Sequence, residues 1–219
     1  MKNIFSIIAL FVFTTGCFSQ INENKNFKFF DIDTFNKHKR VKSSIQDARD
    51  TLKRVVWEVY EFKKEDSLIY MEKLSTVDSY KMIRSKIGGS YKKVYIYHPN
   101  YSLFIESHYF LDLPIGHHKK YSGKGDLIED INYDQIRKDE GYPISIFDIA
   151  QNMRNDFKID IEKEDQILRW RIVKDDDLKK AVYKIACPPK YPDGRPPRGF
   201  IYDPVTGKFI EEYRVDDLR

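Results

Sequence analysis

Residues 91–134 read YKKVYIYHPNYSLFIESHYFLDLPIGHHKKYSGKGDLIEDINYD, and this stretch repeats itself. Tyr97, Tyr101 and Leu103 are followed by Tyr121, Gly125 and Leu127 at one constant offset of 24 residues (121 − 97). Each copy is an alternating run, a turn (His98-Pro99-Asn100, then Ser122-Gly123-Lys124-Gly125) and a second alternating run, which is how an antiparallel hairpin is written. The two copies form a short internal repeat and set the architecture of the middle of the chain. They carry no reaction chemistry.

Working outward toward the C-terminus, Gly141-Tyr142-Pro143 is a turn-forming break. Ser145 and Asp148 have the S-x-x-D spacing of a capping box, and Ile146, Ile149, Ala150, Met153 and Phe157 then fall on one face of a predicted helix. Four strands are predicted after it: Ile167–Val173, Ala181–Cys187, Arg198–Tyr202 and Lys208–Tyr213, the last two joined by a tight turn at Asp203–Gly207. Toward the N-terminus, Ser67–Leu74 reads as a strand. Ile45–Phe62 reads as a helical or irregular segment running into a strand, because Ile45, Ala48, Leu52, Val55, Val56 and Val59 fit a helical stripe. Around Asp31 and Asp33, Phe27, Phe29, Phe30 and Phe35 read as anchors for the N-terminal segment, with the aspartates facing water. The expected fold class is α+β: a mostly β region over 20–140, containing the two hairpins, joined at Gly141 to a helix plus antiparallel sheet over 144–219.

The composition excludes several classes. A chain of 219 residues that is 41% hydrophobic and 15% aromatic has too much apolar surface to stay unfolded. The 38 Lys and Arg are interspersed with 34 Asp and Glu, so the formal charge of +4 describes a mixed surface without the basic stripe that nucleic acid requires. Residues 1–19 read as a signal peptide: Lys2 gives the positive end, Ile4–Phe13 is an apolar run too short to anchor, and small residues follow. Two cleavage sites fit. Thr14-Thr15-Gly16-Cys17 resembles a bacterial lipobox, which would make Cys17 the lipidated N-terminus; Cys17-Phe18-Ser19 before Gln20 resembles an ordinary signal-peptidase site. Either way Cys187 is the one thiol left, and no internal disulfide is expected.

Chemistry-bearing residues do not converge in the sequence. His117 and His118 would point to opposite faces of a strand, His98 sits beside a hairpin tip and His108 lies far along the returning strand. No H-x-x-x-H, C-x-x-C, H-x-E or G-x-S-x-G spacing occurs. Cys187 shares a strand face with Tyr183 and Ile185, as a buried free cysteine does. No catalytic residue, metal or cofactor is therefore expected. Recognition fits better, because strand alternation cannot bury every tyrosine of the hairpins on one face and tyrosine is a good interface residue. The candidate partner-binding residues are Tyr97, Tyr101, Tyr121, Glu106, Glu129 and Asp130.

Two resemblances follow from these residues. Gly116, Tyr121, Gly125 and Leu127 resemble the G-x4-Y-x3-G-x-L pattern of MORN-like repeats found in bacterial toxin-antitoxin and immunity-type proteins; the first copy departs from it, with Tyr101 in place of the glycine. The order of capped helix, strands and Y-D-P-V-T-G-K-F-I turn, over Ile144–Tyr213, resembles a PepSY-type domain, a binding or inhibitory module. The resemblance implies an exported, non-catalytic immunity or inhibitor protein of a Gram-negative cell envelope, periplasmic or lipid-anchored, whose partner is a secreted toxin. A generic envelope PepSY-like binding protein with a cell-wall or peptidase partner is the alternative, and an envelope hydrolase the third reading. No nucleic acid is expected as a partner, and membrane contact only through a lipid on Cys17.

Overall fold

The computed structural model describes residues 28–48, 51–74, 78–175, 177–189 and 197–215. The fold is α+β. A short helix α1 (Ile32–His38) precedes eight strands: β1 (Arg40–Ala48), β2 (Thr51–Lys64), β3 (Ser67–Leu74), β4 (Ser79–Lys86), β5 (Tyr91–Tyr97), β6 (Leu103–Phe110), β7 (Leu113–Tyr121) and β8 (Leu127–Asn132). They pair with their sequence neighbours in one antiparallel sheet, ordered β1 to β8 without a crossover. Helices α2 (Tyr133–Asp139) and α3 (Ile146–Phe157) follow. The last strands, β9 (Arg169–Asp175), β10 (Lys180–Cys187), β11 (Arg198–Tyr202) and β12 (Phe209–Arg214), form a second antiparallel sheet.

The repeat is a geometric one. In β5–β6 the pairing shifts between Ile96 and Tyr97 and ends at Tyr97↔Leu103; in β7–β8 it shifts between Lys120 and Tyr121 and ends at Tyr121↔Leu127. Both five-residue loops close with the same two backbone bonds. His98 donates to Ser102 and Tyr101 donates to His98; Ser122 donates to Asp126 and Gly125 donates to Ser122, all at 2.8–2.9 Å.

Four segments differ from the sequence reading. The segment expected to start helical or irregular and run into a strand is strand at both ends: Ile45–Ala48 lies in β1 and Thr51–Phe62 in β2, paired from Arg40↔Val59 to Ala48↔Thr51. Its valines together with Trp57, Tyr60 and Phe62 suit a pleated surface, and cross-strand pairing overrides the apolar stripe. The mostly β region expected over 20–140 does not run to its end as strand: Tyr133 opens α2, where the Asn132 side chain accepts from the N–H groups of Asp134 and Gln135. β4 and α1 are further additions. Asp31 caps α1 by accepting from the Thr34 N–H, and Asp31 and Asp33 are exposed; of the four expected anchors Phe30 and Phe35 are buried, Phe29 is exposed and so is not one, and Phe27 lies outside the described residues.

Two buried clusters hold the chain together. Phe30 and Phe35 cover one face of the large sheet, packing on Ile69, Met71, Tyr80, Met82, Tyr95 and Tyr97. The capping box forms as the spacing predicts, Ser145 and Asp148 each accepting from the other's backbone. Helix α3 then buries Ile146, Ile149, Ala150 and Met153 against Trp170, Tyr183, Ile185, Phe200 and Tyr202. Each buried Ile or Met is worth roughly 1.5–3 kcal/mol over exposure. Phe110 and Ile115 of the large sheet belong to this same cluster, and Trp170 Nε1 donates to the Phe110 carbonyl at 3.0 Å.

Candidate functional site

The N-terminal segment runs antiparallel to the start of β6. Leu103 donates its N–H to the Lys28 carbonyl at 2.9 Å and Phe30 donates to the Tyr101 carbonyl at 2.8 Å, with Phe29 bridged to Ser102. Alternation then sends Phe30 inward, 4% exposed, and Phe29 outward, 66% exposed. Beneath Phe29 lies a groove of about 420 Å³. It is lined by Tyr95, Leu103, Glu106 and Tyr121, by Asn100 and Ser102 from the first loop, and by Gly123, Lys124 and Gly125 from the second. A contact from His98 Nε2 to the Tyr121 carbonyl, at 3.3 Å, ties one loop to the other.

Glu106 is the carboxylate lining the groove, beside Lys28 and Lys124. His108 Nε2 lies 3.7 Å from its Oε1, beyond hydrogen-bond reach. That contact first, then Lys119 and Lys93, holds Glu106 below the usual carboxylate range against the opposing effect of burial. The Tyr121 hydroxyl donates to Glu106 Oε2 at 3.5 Å, and burial, followed by the nearby carboxylate, pushes its pKa up. The groove therefore pairs an ionised acceptor with aromatic walls, a composition suited to holding a partner's side chain.

The six residues singled out from the sequence do not form one patch. Glu106 and Tyr121 meet in the groove. Tyr101 is half-buried beside it, its ring 5.3 Å from Tyr80. Tyr97 is a correction: at 0% exposure it is a core residue, packed edge-on against Phe30 at 5.3 Å, and offers no surface to a partner. Glu129 and Asp130 are exposed on β8, where Asp130 Oδ1 bonds His117 Nδ1 at 2.7 Å. Cys17 lies outside the described residues.

Lys28, Phe29, Asn100 and Lys124 were missed. Nothing local marks them, because Phe29 reaches the groove only through pairing with a residue 73 positions away (102 − 29). His117 and His118 do face apart, toward Asp130 and toward Ser107 respectively. Among the described residues, no group of three or more His, Cys, Asp or Glu side chains is placed to hold a metal ion. Burial pushes the Cys187 thiol up to about 12, which keeps it protonated and unreactive. No family model matches the chain, and neither curated proteins nor solved structures show a match to it.

Proposed function

We propose that this chain is a non-catalytic binding protein of the immunity or inhibitor type, exported to the cell envelope, where it occludes a secreted antibacterial toxin. The groove beneath Phe29 carries the binding part of this reading. Two successive repeat loops and an exposed phenylalanine surround one ionised carboxylate, and anchors of this kind dominate protein interfaces. On this reading the hairpins over 91–134 are MORN-like units and 144–219 is a PepSY-like unit. The repeated bulge, loop bonds and left-handed residue support the first. The capped helix followed by a four-stranded antiparallel sheet supports the second. Export and a lipid on Cys17 rest on the sequence of residues 1–19, which lie outside the described residues. No helix among the described residues is long and apolar enough to cross a membrane.

The test is affinity capture with the tagged mature chain, starting at Gln20, from its own bacterium, with bound proteins identified by mass spectrometry at low and high salt. One secreted protein recovered in near-equal amount and retained at high salt is the expected result, with recovery falling in the Phe29→Ala and Tyr121→Ala variants. Recovery of no specific protein, or equal recovery by folded groove variants, defeats the reading.

A further inference from the structure

Strand β8 ends the eight-stranded sheet, and among the described residues no strand pairs with its outer edge. Its apolar side chains stand in solvent, Leu127 at 54% and Ile128 at 61% exposure. After β8 the chain turns back against β7, where Arg137 of α2 donates to the Pro114 carbonyl at 3.2 Å. An exposed edge of this kind is a template for another strand.

The repeat says what that strand should carry. The 24-residue offset maps Ile105 and Glu106 of β6 onto Glu129 and Asp130 of β8 (129 − 105). β6 passes on to a further strand, with Lys120 opposite Ile105 and Lys119 opposite Glu106. β8 thus presents carboxylates at both positions where the preceding copy receives a Lys-Lys pair. On its inner side each carboxylate already faces basic residues of β7: Asp130 has His117 and Lys119, and Glu129 has Lys120. Glu106 shows the outer half of this arrangement, with Lys119 opposite it on β7, while on β5 it faces Tyr95 and has Lys93 on the diagonal. A second copy of this chain is the wrong occupant. A two-fold axis through the middle of β8 sets Glu129 opposite Asp130, or one of them opposite itself, and like charges directly opposite are destabilising.

We infer that the β8 edge is a strand-addition site for an extended basic segment of a partner protein, paired antiparallel with consecutive Lys or Arg side chains opposite Glu129 and Asp130. The inference rests on the reading of this chain as a protein-binding protein and adds a second surface to the groove. Backbone bonds would supply affinity and the charge pairs register, since a slip of one residue moves every side chain to the other face.

The probe is a synthetic peptide with the chain's own Ile115–Tyr121 sequence, IGHHKKY, compared with the same peptide carrying Lys119→Glu and Lys120→Glu. Binding to the purified mature chain is followed by fluorescence anisotropy, and amide hydrogen exchange reports where the peptide sits. The parent peptide should slow exchange at 127–132 on the order of tenfold at saturation. It should bind on the order of tenfold more weakly to the Glu129→Gln/Asp130→Asn variant, which keeps the side-chain shapes. The Glu129→Lys/Asp130→Lys variant should prefer the charge-reversed peptide. Equal binding of both peptides to the parent chain, unchanged exchange at 127–132 in the saturated complex, or dimerisation through β8 in sedimentation velocity would each overturn the inference. The groove reading fails separately, because its variants leave β8 intact.

Discussion

Tyr101 and Gly125 occupy the same backbone place in consecutive hairpins. φ is +67° at Tyr101 and +90° at Gly125, and each donates its N–H to the carbonyl three residues before it, His98 and Ser122, at 2.9 Å. The loop geometry therefore demands a left-handed residue in both copies, whether or not glycine supplies it. At position 101 the ring packs against Tyr80 and the backbone strain persists.

Gly125→Ala isolates that strain, because a Cβ built there meets nothing within 4 Å. Urea denaturation should show a loss of about 1 kcal/mol from the left-handed backbone alone. Gly125→Asn should lose less, since asparagine tolerates this region better. Equal stability of Gly125→Ala and the parent would mean that the loop relaxes to another turn.

Tyr97 and Tyr121 stand at one repeat position and should respond in opposite ways to loss of the hydroxyl. The Tyr97 hydroxyl is buried without a hydrogen-bond partner among the described residues, so Tyr97→Phe should leave stability unchanged or raise it by up to about 1 kcal/mol. Partner affinity should not change. Tyr121→Phe removes the bond to Glu106 and should weaken partner binding while leaving the melting curve within about 0.5 kcal/mol of the parent.

Trp170→Phe tests the join between the two sheets. It removes the indole donor to the Phe110 carbonyl and part of a buried ring, a cost of about 1–3 kcal/mol. The change should appear as a lower denaturation midpoint with the cooperativity retained.

From Gln20 onward Cys187 is the sole thiol of the sequence. With its pKa raised to about 12 by burial, partly countered by Arg198, it should resist a thiol-labelling reagent at about pH 8 and react fully once denatured. Rapid labelling of the native chain would show that β10 opens.

Asp203 gives a pH signature. Lys180, at 2.8 Å, is the main cause of a carboxyl pKa held down to about 2, with burial opposing and the Thr206 and Val205 N–H groups assisting. A carboxyl whose folded pKa lies below its unfolded value of 3.8 stabilises the fold when ionised. That contribution is complete above the unfolded value and is lost as pH falls through about 2. The stability difference between the parent and Asp203→Asn should therefore be flat near neutrality, under about 1 kcal/mol for so exposed a pair, and should shrink below about pH 4. A difference that stays constant to about pH 2 would remove Lys180 as the cause.

What the sequence determined by itself is whatever a few neighbouring residues can enforce. The Ser145–Asp148 box, the turn after Asp203, the strand Ser67–Leu74 and the repeated hairpins were all legible, because caps, turns and alternation close within one short segment. Only the tertiary structure decided what pairs and what is covered. The strand ending at Phe62 was legible from its branched and aromatic residues, but that Ile45–Ala48 is also a strand depends on β2 lying beside it, a long-range condition that a local stripe cannot express. Tyr97 is buried and Tyr121 lines a groove although both hold the same repeat position. Phe30, 67 residues earlier in the chain (97 − 30), packs edge-on against the first, whereas the second lines the groove that Phe29 also lines. Burial depends on which surfaces meet, and that is settled only when distant segments pack.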